Sequence, residues 1–195
     1  MVIHTVGDSH SKFGWKNVVC HHIGSVLCYS FGKENLARCD ISKFDLKNDD
    51  TIIFCFGEID CRCHIHKHVN KNNSYKDIID SIIENYFDAI DKNIENLNVT
   101  LKNICVYNVV PPVEKKNTAE NKDSPYLGTD EERKMYTLYF NKQLKIKCAK
   151  KQYIFFDIYD KYTDVNGFLS KKLSDNLVHI LDGIYLDEFI ELYLT

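Results

Sequence analysis

The chain of 195 residues has little proline (three residues), two methionines, one tryptophan and few alanines. It has no apolar run approaching the roughly 18–20 residues that a membrane-spanning helix needs, so no membrane association is expected. No Pro-, Gly- or Ser-rich stretch, internal repeat or low-complexity tract marks a linker, and the sequence predicts a single domain over residues 1–195. An excess of one charge is missing too: 25 Lys and Arg stand against 28 Asp and Glu, a formal net charge of −3. Nucleic-acid binding usually calls for a basic face, and no nucleic-acid partner is expected here. The first residues lack the charged region and following apolar core of a secretory signal. That absence predicts an intracellular protein.

What is present is the composition of an ordinary globular protein, 44% hydrophobic and 27% charged, with enough chain for one sizeable core. Asn, Lys, Ile and Tyr are plentiful, a bias that fits an AT-rich coding sequence and carries no functional information. Eight cysteines occur, at Cys20, Cys28, Cys39, Cys55, Cys61, Cys63, Cys105 and Cys148. An even number permits disulfides. Several, however, sit in apolar runs such as Ile52-Ile53-Phe54-Cys55-Phe56 and Ile104-Cys105-Val106, where a free thiol behaves as a small buried hydrophobe. Without a secretory signal, reduced thiols are expected.

Taken in order, Val2 to Val6 reads as a β-branched strand that stops at Gly7-Asp8-Ser9. Ser11 to Asn17 is a helix or loop, Val18 to His22 a short strand, and Lys33 to Arg38 a helix, with Gly24 and Gly32 punctuating the stretch between. After a polar connector at Asp45 to Asp50, Thr51 to Phe56 is a continuous apolar run, the pattern of a strand buried on both faces. It ends at Gly57. Ser74 to about Leu97 has apolar residues at spacings of three and four, with Ser74 and Asp77 placed as a capping box. Asn103 to Val110 is a further buried strand, closed by Pro111-Pro112. Glu114 to Gly128 reads as the mobile loop of the chain. Thr129 to about Lys150 is a helix whose acidic first turn suits the helix dipole. Tyr153 to Ile158 is a strand, and Leu186 to Leu194 an amphipathic helix. Strands alternating with helices predict an α/β protein with a parallel sheet covered on both faces.

Three stretches carry chemistry. Gly7-Asp8-Ser9 puts a Ser at the carboxyl end of a strand, where open α/β sheets bind ligands; an ordinary turn is the alternative. Gly57-Glu58-Ile59-Asp60, followed by Cys61-Arg62, occupies the same setting on the next buried strand. Ser174-Asp175-Asn176-Leu177-Val178-His179 lies sixteen residues from the C-terminus. A nucleophilic Ser needs a base within hydrogen-bond reach, and the base needs an acceptor for its second ring nitrogen. His179 and Asp175 supply both from one loop.

This combination resembles the SGNH, or GDSL-type, hydrolase superfamily, over the whole length of the chain. The resemblance implies a three-layer α/β/α sandwich with a central parallel, flavodoxin-like sheet. It implies Ser9 as nucleophile, His179 as base and Asp175 as its partner. Gly24, with Gly32 as competitor, stands for the glycine whose backbone N–H helps hold the oxyanion. Gly57 to Asp60 stands for the Gly-x-Asn-Asp block. Two departures accompany it. Ile59 holds the Asn position, removing a side-chain donor whose loss typically costs about 10²–10³ in rate. Arg62, with its fixed fork of donors, is the candidate substitute; pairing with Glu58 or Asp60 is the alternative, and Glu58 and Asp60 themselves are candidates to position Arg62 or bind substrate hydroxyls. The second departure is Asp175 preceding His179 by four residues instead of three. Asp182 to Leu186 has the shorter spacing but offers Tyr185, a poor base near neutral pH.

The run Cys61-Arg62-Cys63-His64-Ile65-His66-Lys67-His68 invites a zinc reading, but no second Cys/His pair follows at zinc-finger spacing, and the polar Asn70 to Asn73 beyond it suggests a solvated loop. No metal or cofactor is expected. His10, directly after Ser9, is too close in sequence to be the base, and His4 falls within the first strand. The function implied is a serine esterase acting on a small-molecule or glycan ester, with deacetylation of a carbohydrate preferred. A glycan acyltransferase, or a carbohydrate-binding or scaffold module with weakened catalysis on the same fold, is the alternative.

Overall fold

The structure is a computed structural model and describes residues 1–117, 122 and 124–195. Five strands, β1 (Ile3–Gly7), β2 (Val19–His22), β3 (Thr51–Cys55), β4 (Asn103–Tyr107) and β5 (Ile154–Phe156), form one sheet in the order β2-β1-β3-β4-β5. Every neighbouring pair is parallel. This is the flavodoxin-like strand order.

The apolar run of β3 is explained by its central place. Ile52 and Phe54 enter one core with Val6 and Val106, while Ile53 and Cys55 enter another with Tyr107 and Phe156. Alternate residues of a strand point to opposite faces, so a strand covered twice must be apolar throughout. The first core is roofed by α1 (Cys28–Glu34), α3 (Tyr75–Glu95) and α4 (Asp130–Lys151). The second is closed by the segment after β5 and by α5 (Ile184–Tyr193). Helices on both faces complete the three-layer α/β/α architecture.

The two long helices start where local chemistry dictates. Ser74 and Asp77 form a reciprocal capping box on α3, and Thr129 and Glu132 form another on α4; each satisfies backbone N–H groups that have no partner within the helix. Helix α1 instead begins five residues before the predicted start at Lys33. Its cap comes from elsewhere in the chain: the Asp60 carboxylate accepts the backbone N–H of Cys28 at 2.6 Å and of Tyr29 at 3.1 Å. Gly32 then allows α1 to lie against the backbone of α3 at Asn85 and Tyr86.

The stretch after Gly57 is helical. Asp60–His64 is a π-helical turn that runs into α2 (Ile65–His68). The predicted loop at Glu114 to Gly128 contains a 3-10 turn at Lys115–Asn117 and the buried Tyr126; its residues 118–121 and 123 lie outside the described residues. All eight cysteines are free, with Cys20 exposed and the others buried. Among the described residues, no helix is long and apolar enough to cross a membrane.

Candidate active site

Strand β1 delivers Ser9 through a turn with little freedom. At Gly7 an added Cβ would lie 2.0 Å from the Cys55 carbonyl oxygen, so only glycine lets β1 and β3 close up as the chain leaves the sheet. Asp8, 1% exposed, caps the following 3-10 turn (Ser9–Ser11) by accepting the backbone N–H of His10 at 2.9 Å. The Ser11 hydroxyl donates to the Asp8 carbonyl at 2.7 Å, and the Thr5 hydroxyl to the Ser11 carbonyl at 2.6 Å. Ser9 is left half-buried at the carboxyl end of the sheet.

The facing loop builds itself around Asp175. An antiparallel bridge between Ser174 and Ile180 frames it. Within it the Asp175 N–H donates to the His179 carbonyl at 3.0 Å, and Asp175 Oδ1 accepts the N–H groups of Leu177 at 2.8 Å and His179 at 3.1 Å. Asn176 adopts a left-handed conformation with φ 62°, which short polar residues tolerate. That turn accommodates the additional residue between Asp175 and His179. His179 Nδ1 lies 2.6 Å from Asp175 Oδ2, and its Nε2 lies 2.8 Å from Ser9 Oγ. A carboxylate only accepts, so Nδ1 carries the hydrogen and Nε2 is left to accept from the Ser9 hydroxyl.

The electrostatics suit a neutral imidazole. Burial and the neighbouring His10 lower the pKa of His179 below 6.5, against the opposing pull of Asp175 and Glu58. Burial works to raise the pKa of Asp175, but hydrogen bonds from the His179 ring and from the backbone N–H groups of His179 and Leu177 hold it below its ordinary value. Phe13 stacks on the His179 ring at 4.3 Å.

Gly24 follows β2 and has φ +91°, a conformation that favours glycine, with open space where a Cβ would stand. The Ile23 N–H donates to the Gly7 carbonyl at 3.0 Å, which seats Gly24 beside the nucleophile turn. Gly32, its competitor, is inside α1 and packs on α3, away from Ser9. Tyr185 of the alternative Asp182–Leu186 alignment belongs to α5 and packs on Tyr162.

The stretch from Gly57 to Arg62 differs from its sequence reading. Gly57, two residues beyond β3, has φ +116° and packs against Val109 and Phe140. Asp60 is fully buried and occupied in capping α1, so it neither positions Arg62 nor reaches a substrate. Burial pushes its pKa up to about 7 against the pull of the two N–H donors. Arg62 is not presented for donation to a substrate: its guanidinium lies 3.0 Å from Glu58 and over the Tyr126 ring. Glu58 in turn lies close enough to His10 and His179 to act on both electrostatically.

His10, too close in sequence to Ser9 to be its base, lies at the site nonetheless. Its Nδ1 lies 3.0 Å from Asp8 Oδ1 and its Nε2 lies 3.0 Å from the Val178 carbonyl. The acid two residues before it was the available signal. The other histidines stand apart. His64 packs on Tyr29 and His68, His66 Nδ1 meets the Tyr136 hydroxyl at 3.1 Å, and His4 Nε2 meets Asp50 at 3.3 Å.

No family model and no curated protein matches the chain. Solved structures do. An acetylxylan esterase from Geobacillus stearothermophilus superposes with a TM-score of 0.60 at 12% identity, covering 97% of this chain and 92% of that one. Phospholipase A1 from Streptomyces albidoflavus gives 0.57 at 11% identity, covering 95% and 96%. The aryl esterase of M. smegmatis gives 0.57 at 10% identity, covering 97% of each. The likeness is one of fold alone: the chain shares the three-layer α/β/α fold of these hydrolases.

Proposed function

We propose that the protein is a serine esterase that removes an acyl group, acetyl by preference, from a carbohydrate or another small ester. The observation that carries this reading is the unbroken hydrogen-bonded line Asp175–His179–Ser9, with spacings of 2.6 Å and 2.8 Å. His179 takes the Ser9 proton as the hydroxyl oxygen attacks the ester carbonyl, and Asp175 stabilises the imidazolium that forms. The backbone N–H groups of Ser9 and Gly24 hold the oxyanion. His179 then returns the proton to the leaving alcohol, and water resolves the acyl-enzyme by the same route in reverse. The likeness in fold to an acetylxylan esterase and an aryl esterase supports an ester substrate.

A fluorophosphonate probe followed by peptide mapping tests the assignment. The expected result is labelling at Ser9 in the wild type and none in Ser9→Ala or His179→Ala, with hydrolysis of an acetyl ester lost in parallel. Unchanged hydrolysis by pure Ser9→Ala, or no labelling of a well-folded wild type, overturns it.

A further inference from the structure

His10 takes no part in the Asp175–His179–Ser9 line, yet it is 6% exposed and engaged at both ring nitrogens. The two atoms it meets, a carboxylate oxygen of Asp8 and the carbonyl oxygen of Val178, are acceptors. Both ring nitrogens must therefore carry hydrogen, which makes the ring an imidazolium. Val178 immediately precedes His179, so the second bond reaches across 168 residues of sequence to the loop that bears the base.

We propose that His10 is a positioning residue, a charged crosspiece that ties the nucleophile turn to the His179 loop and keeps His179 neutral. The inference rests on the reading of Ser9 and His179 as nucleophile and base. Its first part is geometric: the crosspiece anchors the loop one residue from the imidazole that must hold its distance to Ser9. Its second part is electrostatic. The rings of His10 and His179 are 5.1 Å apart between centroids, and a cation at that distance inside a protein opposes a second one. The other charged groups acting on His179 are Asp175 and Glu58, and both favour its protonation. Burial and the charge of His10 oppose them; without His10, burial alone would resist their pull, and the balance would move toward the idle, protonated form. For His10 itself, burial lowers the pKa, but the Asp8 charge and hydrogen bond, the Glu58 charge and the Val178 carbonyl outweigh it and hold the pKa up at about 9. The crosspiece therefore stays charged throughout the range in which His179 titrates.

Side-chain 15N NMR of the histidines tests this directly and requires no turnover. In the wild type at pH 7, His10 is expected to show two protonated ring nitrogens; a neutral tautomer overturns the proposal. In His10→Gln, His179 is expected to titrate at higher pH than in the wild type, and an unchanged midpoint overturns the electrostatic part. The rate of fluorophosphonate labelling should follow, with the variant slow at low pH and restored toward wild type at high pH. Below the midpoint the loss is about tenfold for each unit by which the titration rises. A His10→Gln that fails to fold leaves the wild-type measurement decisive. An unlabelled Ser9 beside an imidazolium at His10 would count against the esterase reading alone, whereas a labelled Ser9 beside a neutral His10 would count against the crosspiece alone.

Discussion

Glu58 and Arg62 face each other at 3.0 Å one helical turn apart, each side chain only 10% exposed. Removing the cation strands a buried carboxylate, which typically costs about 3–5 kcal/mol, whereas exchanging both partners for neutral groups is far milder. Arg62→Met is expected to lower stability by about 3 kcal/mol, and Glu58→Gln/Arg62→Met to recover at least half of that loss. Urea unfolding of the four members of the cycle measures both.

The pH dependence of ester hydrolysis follows from His179. Its pKa lies below 6.5, and only the neutral imidazole accepts the Ser9 proton. The base limb of kcat/KM is therefore expected to have its midpoint on the acid side of 6.5, with activity lost on acidification. A profile of p-nitrophenyl acetate hydrolysis from pH 4.5 to 8 checks the sign: a midpoint above 6.5 contradicts it.

Asp175→Asn preserves the size of the side chain and can still accept from the Leu177 and His179 N–H groups, while losing the charge that fixes the His179 tautomer. The expected loss is about 10³–10⁴ in kcat with little change in KM. Steady-state kinetics and a thermal melt together separate this from unfolding.

Asp60 predicts a slope in stability. Its folded-state pKa of about 7 lies above the ordinary 3.8, so the native state binds the proton more tightly than the unfolded chain. The contribution of this group is therefore lost as pH rises from about 4 to 7. Asp60→Asn, which keeps one acceptor oxygen for the start of α1, should flatten that part of the curve relative to wild type. Urea midpoints at pH 5 and 8 for both proteins provide the test, and parallel curves would refute it.

Much of this architecture was readable where its causes are local. The strands β1 and β3 announce themselves by apolar runs ending at Gly7 and Gly57, α3 by a capping box within four residues of chain, and α4 by its acidic first turn. The order of Ser9, Asp175 and His179 along the chain put those three forward, and they are the side chains that the fold brings within hydrogen-bond distance. What escaped depends on contacts distant in sequence. Helix α1 starts early because Asp60 caps it from 32 residues away. Glu58 and Asp60 are similar carboxylates in the sequence, but the helical phase after Gly57 turns one toward Arg62 and the other toward α1. His10, directly after Ser9, reads only as too close to serve as its base, because its partner Val178 is 168 residues away in sequence.

The pairing of β1 on both edges, with β2 and with β3, contrasts with the loop at Asp175 to His179, which belongs to no strand of the sheet and is held by its own turn, one bridge, His10, Phe13 and the packing of Val178 into the second core. Protection from hydrogen exchange should therefore be uneven across a site only a few ångströms wide, deep at the root of Ser9 and shallow around the base. On warming, the imidazole would drift from the hydroxyl while the sheet still melts as one unit, so catalysis would fade at a lower temperature than the fold.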